Sequence, residues 1–210
     1  MLVAKETGTS IPLMENGMYP SVCSQVIDMG QQQNSMFGGV AQKVRIVWDI
    51  IGETVKIGDK EEQRRIAKEY TCSLSEKSNL RKMLQSWRGS PFKDDELQGF
   101  DLSKIVGVGA QLQIMNKPKV NSTGEYSSIE TVVPLPKGVV VPPVNPVIFD
   151  LDNPSTYPVF ASLPHGVQER ISKSVGFAST GLRIVERGAT VPATSAEEFT
   201  TIEDHEDLPF

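Results

Sequence analysis

Between Lys43 and Ile50 the chain alternates with a period of two: Val44, Ile46, Trp48 and Ile50 on one side, Lys43, Arg45, Val47 and Asp49 on the other. A helix would scatter these residues around its axis, whereas successive strand residues point to opposite faces. The stretch reads as a half-buried strand with one apolar and one largely polar face, so other strands must complete its core. Met18 to Met29, bounded by Gly17 and Gly30, gives the strand before it. Gly30 to Gln42, rich in glutamine and glycine without a period, reads as a flexible loop. A Gly52/Gly58 loop follows, and then a third strand from Arg64 to Cys72, where Lys68 interrupts the alternation of Ile66, Tyr70 and Cys72.

Ser73 and Glu76 have the spacing of a capping box, and behind them Leu80, Met83, Leu84 and Trp87 fall at i, i+3, i+4 and i+7. The spacing predicts a helix stopped by Gly89 and Pro91, and a second helical stretch over Lys93 to Val106. Ala110 to Met115 and Tyr126 to Val133 read as two more strands, joined through Asn116 to Glu125. The order β-β-β-α-β-β, mainly β with a helical insert at about 73–106, is that of a five-stranded OB-fold Greek-key barrel, which would fill residues 1–140. Prolines 134, 136, 142, 143 and 146 argue against continued sheet, because proline has no N–H for a ladder. Residues 141–187 therefore read as a Pro-rich linker and a short amphipathic helix through Phe160, Leu163, Val167 and Ile171, packed on the barrel. Residues 188–210, poor in apolar side chains, read as a disordered acidic tail.

Several classes of chemistry are disfavoured. No run approaches the ~20 apolar residues of a membrane span, and the first residues lack the apolar stretch of a signal peptide, so a cytoplasmic protein with no membrane partner is expected. Cys23 and Cys72 are isolated, without redox or zinc spacing. His165 and His205 form no ligand pair, and Asp94, Asp95 and Glu96 suit a helix start better than a metal site. Gly107 and Gly109 are too few for a phosphate loop. The expectation is a non-enzyme with no cofactor and no metal.

The net charge of −5 is unevenly placed: six of the 26 acids lie between Glu197 and Phe210, where no lysine or arginine occurs, leaving a near-neutral body. The chain closes on Asp204-His-Glu-Asp-Leu-Pro-Phe210, an anion cluster followed by apolar residues around a proline. This resembles the acidic tip of bacterial single-stranded DNA-binding proteins, with His205 and Glu206 where aspartates are usual and Leu208 in place of isoleucine. The resemblance implies that Phe210 enters an apolar pocket on a partner while basic residues around it receive Asp204, Glu206, Asp207 and the terminal carboxylate. Leu208 and Pro209 complete that tip. Tyr70 to Gly89, with Phe92, Phe100-Asp-Leu and Val133-Pro-Leu-Pro-Lys-Gly138, is similar to a family of bacteriophage proteins often placed near recombination or replication genes. Together the resemblances imply a phage single-stranded DNA-binding protein that recruits replication and recombination proteins in the infected host's cytoplasm. The helical insert departs from the bacterial type, so tetramerisation does not carry over and a homo-oligomer stays open.

Sequence-neutral binding of a single strand needs cations for phosphates and aromatic faces for bases. Lys43 and Arg45 on the polar strand face, Lys56 and Lys60 beyond it, and Arg64, Arg65 and Lys68 in the third strand supply one candidate track. Lys117 and Lys119 lie where the loop between the last two strands is expected, with Tyr126 just beyond it. Phe37, a ring in the Gln/Gly loop, and Tyr70 are the other stacking candidates. Each has an ordinary reading too: Lys43 and Arg45 as a solvated face, Tyr70 as core, Phe37 as a loop anchor. Lys77, Arg81, Lys82 and Arg88 are either a solvated helix face or a second track. Trp48 and Trp87 are assigned to the core. The competing functions are a protein-interaction adaptor on the same fold and a strand-annealing recombination accessory protein.

Overall fold

The computed structural model describes residues 11–33, 38–58, 60–120 and 123–184. The chain is mainly β: a six-stranded sheet with a few short helices. Strands β1 (Gly17–Gln33), β2 (Val40–Ile57) and β3 (Lys60–Thr71) form an antiparallel meander. Helices α1 (Asn79–Arg88) and α2 (Asp94–Leu97) follow, then strands β4 (Gly109–Pro118) and β5 (Glu125–Pro134). The sheet order is β3-β2-β1-β4-β5, so β1 is shared between β2 on one edge and β4 on the other.

The alternation of β2 is realised: Val44, Ile46, Trp48 and Ile50 lie in the main core with Cys23, Leu112, Ile114 and Ile129. The helical stripe Leu80, Met83, Leu84 and Trp87 closes over the same core, Trp87 lying 5.9 Å from Trp48 between ring centroids and donating Nε1–H to Gly109 O at 2.8 Å. Met14 enters this core as well; its N–H donates to Ser127 Oγ at 3.0 Å and its carbonyl accepts from the Asn116 side chain at 2.8 Å.

Several boundaries differ from the sequence reading. Both ends of the expected loop over Gly30 to Gln42 are strand, because Gln31, Gln32 and Gln33 of β1 pair with Gln42, Ala41 and Val40 of β2; residues 34–37 lie outside the described residues. Gly52 sits inside β2 rather than in a loop. Its φ of 80° falls at the register break between the Asp49–Arg65 and Thr54–Gln63 pairs, a conformation glycine adopts without steric cost. Gln63 Nε2 donates to Ile50 O and Glu53 O in that gap, at 2.6 and 3.0 Å. The capping box does not form: Ser73 Oγ accepts from Ser75 N at 3.2 Å, and α1 begins one turn later, behind Ser78. Lys93 to Val106 is split between α2 and a 3-10 turn at Leu102–Ile105, whose cap Asp101 accepts from Ser103 N at 2.9 Å.

Beyond the prolines lies a sixth strand, within residues expected to be linker. Strand β6 (Val147–Phe149) pairs in parallel with Gln25, Val26 and Ile27 of β1. The expected single helix is two, α3 (Tyr157–Phe160) and α4 (His165–Ser172), separated by Pro164. The apolar stripe itself holds: Phe160, Leu163, Val167 and Ile171 join Phe149 and Leu151 in a second core against Ile27, Met29 and Val47. The residues of this C-terminal extension are thus an integral layer over one face of β1 and β2. Phe160→Ala is expected to cost about 3–5 kcal/mol, as for other buried aromatic truncations. Urea unfolding checks it, with one cooperative transition expected; two separate transitions would make the extension an independent unit.

Candidate functional site

The face of β2 bearing Lys43, Arg45, Val47 and Asp49 is the one the extension covers. Arg45 is only 4% exposed, and its Nη1 lies 3.6 Å from Glu69 Oε1 on β3. The other oxygen of Glu69 faces Arg170 Nε of α4 at 3.5 Å, so the carboxylate is held between two arginines, one from the sheet and one from its cover. Val47, in the middle of the supposedly polar set, packs in the second core with Ala67 beside it. The expected solvated cationic strand face is therefore corrected. A charge removed from water needs a partner: Arg45 finds Glu69 on the neighbouring strand, and the distant extension adds Arg170 to the same carboxylate.

Other members of the expected track are also engaged. Arg65 Nε donates to Asp49 Oδ1 at 3.0 Å, and Ser24 Oγ donates to the same oxygen at 2.5 Å. Arg64 is buried and donates to the carbonyl of Pro12; burial lowers its pKa, against the opposing charges of Glu53 and Tyr19. Lys43 Nζ donates to Thr71 Oγ1 across the β2–β3 pair at 2.9 Å. Lys68, the residue that broke the alternation, shares the inward side of β3 with Ile66 and Tyr70. Its Nζ donates to Ile129 O of β5 at 3.0 Å and lies 5.8 Å from the Tyr70 ring centroid. Tyr70 itself is buried in the main core, which corrects its reading as a stacking face.

What is left outward is at the hairpin ends. Lys56 and Lys60 are exposed near the β2–β3 turn, with Glu61 opposite Lys56 in register. In the β4–β5 hairpin Lys117 stands opposite the half-buried Tyr126, and its Nζ pairs with Glu130 Oε1 at 2.8 Å. Burial pushes the Glu130 carboxyl up, but the hydrogen bond and charge of Lys117 outweigh it and hold the group below the usual glutamate range. Lys119 N donates to Gly124 O at 3.0 Å, closing that hairpin. Arg81 Nε donates to Gln85 Oε1 at 2.9 Å and Arg88 Nη2 to Glu96 Oε1 at 3.0 Å, while Lys77 and Lys82 are exposed. Phe37 and the tip residues Asp204, Glu206, Asp207, Leu208, Pro209 and Phe210 lie outside the described residues.

No protein-family model matches the chain, and no curated protein matches it. Among the described residues no cluster of His, Cys, Asp or Glu could hold a metal ion, and no helix is long and apolar enough to cross a membrane.

Sequence reasoning missed Glu69, Arg170 and Asp28. The signal for a covered face was Val47, an apolar residue among three polar ones. Asp28 sits at the base of the β1–β2 hairpin, where its carboxylate accepts from Gly30 N at 2.8 Å, Leu151 N at 3.2 Å and the Gln42 side chain. Burial nevertheless raises its pKa, and the nearby charge of Asp150 adds to the rise. A carboxyl whose folded pKa is raised stabilises the fold below its unfolded pKa and loses that contribution as pH climbs through the folded value. Wild type should therefore gain stability relative to Asp28→Asn as pH falls from neutrality to below the ordinary aspartate range. Thermal midpoints of the two proteins across that interval check the sign, and a constant difference would refute it.

Proposed function

We propose that this chain binds single-stranded DNA without sequence specificity, as an elaborated OB-fold barrel of the phage type acting in replication or recombination. The observation that carries the reading is the strand order β3-β2-β1-β4-β5, with the helices inserted between β3 and β4 and β1 shared between β2 and β4. The contact of Lys68 with Ile129 O supports a sheet curled until its edge strands approach. The acidic tip supports a second role, recruitment of replication and recombination proteins in the host cytoplasm through Phe210.

With Arg45 and Val47 under the extension, the nucleic acid is assigned to the hairpin arms. Tyr126 offers a ring beside Lys117, Lys119 follows in the same hairpin, and Lys56 and Lys60 extend the cationic path at the β2–β3 turn. Base–aromatic stacking and phosphate contacts of this kind are indifferent to sequence. The covered strand 2–3 face favours a second reading, a protein-interaction adaptor, because that face is where OB-folds commonly take oligonucleotides.

Both tryptophans are buried, so anisotropy of fluorescein-labelled oligo-dT is the suitable readout. Oligo-dT should bind more tightly than duplex at moderate salt; equal or absent binding would leave the adaptor. Tyr126→Ala should cost about 1–3 kcal/mol of single-strand affinity. Lys119→Ala should lower the magnitude of the salt slope by about 1. Deleting Phe210 should leave oligo-dT affinity intact and abolish retention of replication proteins from host lysate; retention by the truncated chain would remove the tip from the proposal.

A further inference from the structure

The outward face of the β4–β5 hairpin does not end at Lys117 and Tyr126. In β4, Ala110, Leu112 and Ile114 face the main core, so Gln113, Met115 and Lys117 take the opposite side. Tyr126 of β5 stands opposite Lys117, and Met18 of β1 stands opposite Gln113. Residues paired in this way share a face, and Met115 is two residues along from both Gln113 and Lys117. Met18, Met115 and Tyr126 therefore form one diagonal line across three strands, with diagonal neighbours about 7–8 Å apart and within reach of long side chains. Met18 is 48% and Met115 43% exposed, whereas Met14, Met29 and Met83 are at most 8% exposed. The two exposed thioethers belong to neither core, and the sheet face around them is otherwise polar at Gln113 and Lys117.

We propose that Met115 and Met18 are base-binding residues that continue the Tyr126 platform, so that a single strand entering at the hairpin lays successive bases along the diagonal from Tyr126 to Met115 to Met18. The inference rests on the functional reading above and extends its site from the hairpin onto β1. A thioether is soft, polarizable and carried on a flexible chain, so it packs on the flat ring of any base without reading its hydrogen-bonding edge. That indifference is what sequence-neutral binding requires. Lys117 supplies a cation beside the line for the backbone of the strand. Its ammonium sits on Glu130 at 2.8 Å in a partly exposed pair, and pairs of that kind are worth under about 1 kcal/mol, so a phosphate can displace the carboxylate. A duplex keeps its bases stacked inward and offers this face only phosphates, which gives thioethers nothing to pack on.

The test is oxidative footprinting of the full wild-type chain with a pulse of hydrogen peroxide, read by mass spectrometry at Met14, Met18, Met29, Met83 and Met115. In the free chain Met18 and Met115 should convert to sulfoxide well before the other three, which burial protects and which serve as references. Saturating oligo-dT should suppress oxidation of both exposed methionines, and a bound duplex of the same length should not. Met115→Thr, a change at an exposed strand position, should weaken oligo-dT binding about fivefold, within the range of sulfur–aromatic contacts. Its salt slope should stay that of wild type, because no phosphate contact is removed. Oligo-dT bound by anisotropy while both methionines oxidise at the free rate overturns the platform, as does equal protection by duplex. Protection with unchanged affinity of Met115→Thr reduces the effect to shielding and overturns the base-binding role. Protection that appears without nucleic acid as protein concentration rises gives the face to a second copy of the chain and overturns it too. If oligo-dT fails to bind at all, it is the functional reading that falls, and the inference with it.

Discussion

One edge of β1 is filled by four separate pieces of chain, and the rest of the molecule is arranged to supply them. From Gly17 to Val22 the neighbour is β4. At the bulge after Cys23 the partners become Val108 O, at 3.1 Å from Cys23 N, and Gly107 N, at 2.8 Å from Cys23 O. From Gln25 to Ile27 the neighbour is β6, and at Gln31 it is Val175. A strand edge presents N–H and C=O groups that need partners. Because β2 holds the other edge from Ser21 to Gln33, β1 can run for 17 residues without an open side over most of its length. The helical insert returns the chain to β4, and the prolines carry it round to β6.

That arrangement explains the division of charges. One face of the sheet closes over a core of β-branched and aromatic residues with α1. The other is apolar only in its middle, at Ile27, Met29 and Val47, and ionic at its margins, where Glu69 meets Arg45 and Arg170 and where Asp49 meets Arg65 and Ser24. An ionic margin around an apolar centre fixes how the cover sits, since each mispaired charge would be left out of water.

Much of the local structure was legible in the sequence because its causes are local. The β2 alternation, the α1 stripe and the 160/163/167/171 stripe all went to cores, and each needs only that the right residues recur at the right period. The misreadings share a different cause. The polar run at Gln31 to Gln33 is strand because its backbone pairs with β2 and, at Gln31, with Val175 on the other side, which side-chain character does not reveal. Lys68 looked like a flaw in a strand and is an amine whose acceptor, Ile129 O, sits across the gap to β5. Arg45, Arg64 and Arg65 were readable as charges but not as partners: Glu69, Pro12 O and Asp49 are brought to them by the fold. For the site, composition indicated which residue types were present, and tertiary contacts decided which remained outward.

The filling of the β1 edge also has an order in time. During synthesis β1 and β2 leave the ribosome early and can form their hairpin at once, but β4, β6 and Val175 emerge progressively later. Until the last of them arrives, the nascent chain carries an open strand edge beside Ile27 and Met29, the combination most prone to pairing with a neighbouring chain. The interval in which this protein is vulnerable to aggregation is therefore set by how long residues 147–175 take to follow the sheet they complete.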